Sequence, residues 1–137
     1  MALILDTGVL YAALNRTEPR HRDCRALIES SIEDVVIPSP ILPEVDYFIT
    51  THMYVDVLVG LLRDIQLGNF LVVSLVDEDY FRMDEIVRQY ADTPVGFVDA
   101  AVLALVERFN ETKLATLDTR HFAMMRPRHI DALTLLP

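Results

Sequence analysis

An α/β sandwich built on a mostly parallel central sheet is the fold this sequence predicts, and three observations predict it. Ala2-Leu3-Ile4-Leu5, Val35-Val36-Ile37 and Phe70-Leu71-Val72-Val73 are continuous apolar runs, the pattern of strands buried on both faces. Segments with helical spacing separate these runs, so strands and helices alternate along the chain. The chain has 137 residues, 52% hydrophobic and 24% charged, with no repeat, low-complexity stretch or Gly/Pro/Ser-rich linker, which predicts a single domain over residues 1–137.

The first strand covers Ala2 to Leu5 and is stopped by Asp6. Val9, Leu10, Ala13 and Leu14 then follow helical spacing. Asn15 to Pro19 reads as a loop, and Pro19 suits the first turn of a second helix running to about Ser30, because its ring presets a helical φ. Asp34 to Ile37 is a second strand, and Ser39-Pro40 opens a third helix with Ser39 placed to cap it. A fourth helix, Met53 to Leu67, stops at Gly68, in the left-handed position that glycine fills most easily. Phe70 to Val73 is a third strand. Asp77-Glu78-Asp79 load the first turn of a fifth helix with the negative charge its dipole favours, and that helix ends near Tyr90. Pro94-Val95-Gly96 is a loop before a sixth helix, Phe97 to about Phe109. Lys113 to Leu117 is another strand, and Ala132 to Leu136 a last short one.

Acidic residues number 21 and basic residues 12, a formal net charge of −9. Such a field repels phosphate and argues against a simple electrostatic binder of nucleic acid or of an anionic membrane. The one cysteine, Cys24, excludes an internal disulfide and a cysteine-rich zinc module and fits a reducing compartment. The opening apolar run is too short for a signal peptide, and Ala100 to Val106 falls far below the ~20 residues that span a bilayer. These features predict a soluble cytoplasmic protein with no membrane partner.

The acids carry the chemistry. Asp6 and Asp118 directly follow strands, at the sheet edge where α/β ligands bind; each serves equally well as a helix N-cap. Asp99 lies in the first turn of a helix that is apolar almost all round, so it needs a partner unless it only complements the helix dipole. On the third helix the apolar stripe is Ile41, Val45, Phe48 and Ile49. Glu44 sits about 80° from its centre and Asp46 about 120° away, which points Glu44 toward a cleft and Asp46 toward solvent. Asp77, Glu78, Asp79, Asp84 and Glu85 read as one wet helix face, and Asp56 and Asp64 as another. Four carboxylates converging at one sheet edge repel and take up protons unless a cation offsets them, and an oxygen-only donor set selects Mg²⁺ or Mn²⁺ over zinc. His21, His52, His121 and His129 form no HxxxH pair and read as surface or partly buried side chains.

Together these residues resemble the PIN-domain nucleases, most closely the VapC-like toxins of type II toxin–antitoxin pairs. The resemblance spans nearly the whole chain: Leu5-Asp6-Thr7 after the first strand, Pro43-Glu44-Val45 early in a helix, Phe97-Val98-Asp99-Ala100-Ala101-Val102 in an alanine-rich helix, and Thr116-Leu117-Asp118 followed by Phe122. One departure is Gly8, where the family usually carries Ser or Asn. The resemblance implies a three-layer sandwich with four to five strands and a metal-dependent endoribonuclease activity. It makes Asp6, Glu44, Asp99 and Asp118 both the catalytic acids and the ligands of one or two Mg²⁺ or Mn²⁺ ions. Such ions lower the pKa of a bound water and clamp the scissile phosphate. Thr7 and Thr116 then hydrogen-bond a carboxylate or a metal-bound water, or are ordinary strand-end threonines. The resemblance also implies a small antitoxin partner and a homodimer.

An RNA substrate must meet an acidic chain. Between Glu29 and Glu111 there are 16 acids and 4 arginines, but the two ends are richer in cations. Arg16, Arg20, Arg22 and Arg25 in one segment, and Arg120, Arg126 and Arg128 in the other, are the candidates to flank the cleft and grip the RNA backbone, the alternative being two solvated charge runs. Tyr47, Phe48, Tyr54, Val55, Leu58 and Leu62 form apolar stripes on the third and fourth helices, either the antitoxin groove or core.

Three other readings compete with this one. Asp6-Thr7-Gly8 matches the catalytic string of aspartic proteases, but those are all-β with strands ahead of it. A phosphoacceptor receiver domain wants adjacent acids after its first strand and a late lysine that ends a strand; Asp6 has no acidic neighbour and Lys113 begins one. A PIN fold used only as a binding scaffold is the non-enzymatic alternative.

Overall fold

The computed structural model describes residues 1–137. In chain order the elements are β1 (Ala2–Ile4), α1 (Thr7–Leu14), α2 (His21–Glu29), β2 (Asp34–Pro38), a single 3-10 turn (Ser39–Ile41), α3 (Leu42–His52), α4 (Val55–Gln66), β3 (Leu71–Val73), α5 (Asp77–Gln89), α6 (Phe97–Arg108), β4 (Lys113–Ala115), α7 (Thr119–Met124) and β5 (Thr134–Leu136). The α/β class expected from the alternation of apolar runs holds.

Every strand pair is parallel. β2 is the middle strand of a sheet ordered β1-β2-β3, with Leu3 opposite Val35 and Ile37 opposite Val72, while β4 pairs with β5 alone. The two sheets meet at a single bridge, Leu5 to Ala115, where the Asp6 N–H donates to the Ala115 carbonyl at 2.8 Å. The expected sheet of four to five strands is therefore three strands plus two, joined at one point. Glu111 is the physical reason. It is buried, and its Oε1 accepts the Ala2 N–H at 2.5 Å, so a side chain stands where a neighbouring strand would bond the start of β1. β1 and β4 lie side by side but are bridged by backbone hydrogen bonds only at their carboxyl ends, and the residues that leave those ends are brought together.

A cluster of 30 buried residues forms the core. Ala100 to Val106 of α6 are all buried, as an all-round apolar helix requires, and α6 packs against α5 and β2. The stripe residues Ile41, at the end of the 3-10 turn, and Val45 and Ile49 on α3 are buried, and α3 leans on α1 and α4.

Gly68 ends α4 with φ +80°, as its sequence position implies. Ser39 does not cap α3: it lies in the 3-10 turn, and no side chain accepts from the start of that helix. Pro43 sits in the first turn and has no N–H, which leaves one donor fewer to satisfy there. Helix α7 was not anticipated; Asp118 caps it by accepting the His121 N–H at 3.1 Å, and Phe122 anchors it in the core. Asp79, read as part of a wet face, is buried and accepts from the Val76 N–H at 2.9 Å and from Arg108 Nε at 3.1 Å. No helix is long and apolar enough to cross a membrane.

Candidate active site

Asp6, Thr7, Gly8, Pro43, Glu44, Tyr47, Phe48, Asp99 and Asp118 line one open cleft of about 550 Å³. Each of the four acids arrives on a different element. Asp6 follows β1 and caps α1, Glu44 occupies the first turn of α3, Asp99 the first turn of α6, and Asp118 the cap of α7. For Asp6 and Asp118 the capping and site readings are thus both true, because the N-cap of a helix that follows a parallel strand lies at the sheet's carboxyl edge.

Hydrogen bonds tie the acids to their neighbours. The Thr7 N–H donates to Asp6 Oδ1 at 2.8 Å, and Thr116 Oγ1 donates to Asp6 Oδ2 at 2.8 Å. Thr116 Oγ1 in turn accepts the Asp118 N–H at 3.0 Å, linking the ends of β1 and β4. Thr7 Oγ1 donates to Glu44 Oε1 at 2.6 Å. Both threonines therefore bind carboxylates, and their hydroxyls hold three of the four acid-bearing segments in register.

The site is electrostatically unbalanced. Burial pushes the Asp6 carboxyl up to about 6 against the lowering effect of its hydrogen bonds, and Asp99 and Asp118 push it further in the same direction. Asp99 is also raised, first by burial and then by Asp118 and Glu44. No lysine or arginine lines the cleft.

The cationic segments lie differently. α1 runs eight residues, roughly 12 Å, between Asp6 and the start of the Arg16–Arg25 stretch, so that stretch is a helix length from the acids. Within it Arg20 pairs with Asp23 at 3.1 Å and Arg25 with Glu29 at 2.5 Å, while Arg16 and Arg22 are exposed without an ion pair. Arg128 is committed to Glu85, with both carboxylate oxygens at 2.9 Å. Arg126 is exposed, with its backbone N–H on Tyr90. Arg120, exposed on α7 two residues past Asp118, is close enough to His121 to act on its charge.

Sequence reasoning reads His121 as a surface or partly buried side chain and gives it no place in the site. It lies three residues after the cap of α7, and its Nδ1 is 2.6 Å from Asp118 Oδ2, a hydrogen bond that holds the imidazole above its usual pKa. The Asp118-x-x-His121 spacing carried that signal, but only a helix starting at Asp118 gives it meaning. Of the apolar stripe residues, Tyr47, Phe48, Tyr54, Val55 and Leu62 are exposed, and Tyr47 and Phe48 form a wall of the acid cleft. Phe48 packs on Tyr11 with ring centroids 5.1 Å apart.

A second cavity of about 530 Å³ lies at the opposite end of β2, between α1, α2 and the start of β3. Its charged groups are largely spoken for, Arg25 by Glu29 and Asp64 by Asn69.

The model of one family, the PIN domain, matches residues 3–126. The chain belongs to the PIN-domain family. This PIN domain is 30% identical over 135 residues to ribonuclease VapC26 of Mycobacterium tuberculosis, covering 98% of this chain and 100% of that one. In fold it is similar to VapC20 of M. tuberculosis, a sarcin-ricin loop cleaving toxin, with TM-score 0.70 and 18% identity over 82% of this chain and 86% of that one. It is likewise similar to a toxin–antitoxin complex from Klebsiella pneumoniae, with TM-score 0.66 and 18% identity over 93% of this chain and 99% of that one. At those identities the solved structures speak to the fold.

The PIN domain's cleft suits a divalent cation. Its donors are carboxylate oxygens that crowd one another, and Asp6 and Asp99 are raised by burial and by the neighbouring acids, which a bound cation relieves. Gly8 is not demanded by space: a Cβ there meets the Leu117 Cβ at 3.6 Å, an ordinary contact.

Proposed function

We propose that this PIN domain is a Mg²⁺- or Mn²⁺-dependent endoribonuclease that acts in the cytoplasm as the toxin of a toxin–antitoxin pair. The observation that carries the reading is the convergence of Asp6, Glu44, Asp99 and Asp118 from four separated segments on one cleft with no basic side chain among them. The curated relative is named a ribonuclease, and the fold neighbours include a cleaving toxin and a toxin–antitoxin complex.

In this reading Asp6, Glu44, Asp99 and Asp118 hold one or two ions, which supply a water of lowered pKa and stabilise charge on the scissile phosphate. The chain's own residues prepare that chemistry. Thr7 orients Glu44 and Thr116 orients Asp6 through their hydroxyls, so the acids lose little freedom when they bind. Burial of Asp6 excludes water from the back of the site. Arg120 is the cation best placed for RNA phosphate, with Arg16, Arg22 and Arg126 available further out and Arg20 and Arg128 already paired. The exposed apolar residues of α3 and α4 beside the cleft, from Tyr47 to Leu62, are the surface for an antitoxin segment, and a homodimer is the expected assembly.

The test is cleavage of total RNA by the purified chain with Mg²⁺ or Mn²⁺ and with chelator. Cleavage silenced by EDTA and by Asp99→Asn supports the reading. Cleavage that survives chelation, or a well-folded wild-type chain that cuts nothing with either ion, overturns it, the second outcome in favour of a binding scaffold.

A further inference from the structure

Helix α7 starts one residue after Asp118, and its first turn brings His121 back against that carboxylate. His121 engages both oxygens: its N–H donates to Oδ1 at 3.1 Å, and ring Nδ1 lies 2.6 Å from Oδ2. One carboxylate oxygen from each of Asp99 and Asp118 and one ring nitrogen of His121 all lie within 4.8 Å of one another. Bonds of ~2.1 Å to an octahedral ion place donors roughly 3 to 4.3 Å apart, so small rotations of these side chains bring all three onto one ion.

We propose that His121 releases to solvent the proton it shares with Asp118 and donates the freed ring nitrogen to the ion held by Asp99 and Asp118, making a mixed nitrogen–oxygen centre that prefers Mn²⁺ to Mg²⁺. The inference rests on the metal-dependent reading above. The other histidines do not compete for the place. His21 bonds the Ala12 carbonyl, His129 bonds the Glu111 carbonyl, and His52 ends α3 in a separate pocket with Tyr11 and Asn15. The Phe122 anchor beside His121 is fully buried, so the backbone that aims the imidazole is held by the core. Mg²⁺ binds oxygen almost exclusively and keeps its waters, whereas Mn²⁺ accepts imidazole alongside carboxylate and gains affinity from it. A site of four carboxylates alone separates the two ions much less.

The experiment uses the full chain loaded with Mn²⁺, read by pulsed electron paramagnetic resonance, with Mn²⁺ and Mg²⁺ affinities from calorimetry. The expected result is a directly bound ¹⁴N coupling in the wild type and Mn²⁺ held at least about tenfold more tightly than Mg²⁺. In both His121→Gln and His121→Ala the coupling disappears and Mn²⁺ affinity falls by about 10–100-fold, with a smaller change for Mg²⁺. Circular dichroism confirms that the variants are folded, and the glutamine variant retains a hydrogen-bonding group for Asp118. Mn²⁺ bound without a directly coordinated nitrogen, or a coupling that survives both substitutions, overturns the role of His121 while leaving the carboxylate site standing. No saturable Mn²⁺ binding to the wild type overturns both.

Discussion

The two ends of α6 treat their acids in opposite ways. In its last turn Glu107 takes a forked pair of bonds from Arg82, at 2.7 and 3.0 Å, and a third from the Arg128 N–H at 2.7 Å. Nearby Asp79 is held by Arg108. About 12 Å away along the helix, at the first turn, Asp99 faces other acids, and its cleft offers hydroxyls, backbone N–H groups and an imidazole but no guanidinium or ammonium. The charge states respond accordingly. The Glu107 bond holds Arg82 even more firmly protonated, whereas Asp6 and Asp99 are pushed toward the neutral form. At one end the chain supplies the countercharge itself and the result is structure. At the other the countercharge has to come from solution, and the crowding is kept at a cost to stability.

The sharpest break of this contrast is Asp99→Asn. RNA cleavage is expected to fall by about 10³-fold or more, since the loss of one ligand removes several kcal/mol of charge stabilisation. Thermal melts supply the companion readout. An ion at 100 times its Kd stabilises the wild type by about 2.7 kcal/mol, and the variant's melting temperature is expected not to respond.

The next effect belongs to the paired end. The side chains of Arg82 and Glu107 are only 13% and 9% exposed, so Glu107→Gln leaves a guanidinium nearly buried without its partner. Urea unfolding is expected to show a loss of about 3–5 kcal/mol. Ion affinity of the folded protein should stay at the wild-type value, because the cleft is at the other end of the helix.

Asp6→Asn reads the cost directly. The folded pKa of about 6 stands above the ordinary 3.8, so the unfolded chain gives up this proton first as pH rises. Stability without metal therefore falls between about pH 4 and 6 and stays lower above that range, by up to about 3 kcal/mol from this group. The variant is expected to lose that part of the slope and to gain about 1–3 kcal/mol at pH 7, in urea titrations run across pH with chelator present. A variant no more stable than wild type at pH 7 would show that the hydrogen bonds from Thr7 and Thr116 outweigh the burial.

The smallest effect sharpens the question of Gly8. It is the second residue of α1, its added Cβ meets nothing closer than 3.6 Å, and no left-handed φ requires glycine there. Gly8→Ala is expected to raise stability by about 0.5–1 kcal/mol in the same unfolding assay.

Asp6, Glu44, Asp99 and Asp118 were legible in the sequence because each lies at a place that local rules mark: the end of an apolar run, the edge of a helical stripe, the first turn of an apolar helix. Asp77 and Glu78 are exposed as their run implies, but Asp79 follows the same local rule and is buried, because nothing in the run announces that Arg108, 29 residues on, will reach it. Arg128 looked available for phosphate until Glu85, 43 residues away in the chain, was seen to hold it.

Local periodicity and turn chemistry by themselves determined the strands and every helix but α7, where Gly68 stops α4, and which acids stand at the carboxyl ends of strands, since those properties depend on residues a few positions apart. Tertiary structure alone decided that the strands divide into three and two, that Glu111 stands in for a ladder at the start of β1, and that α7 turns His121 onto Asp118. Those outcomes hang on which distant donor reaches a given acceptor first, and the spacing of residues along a chain carries no record of that competition.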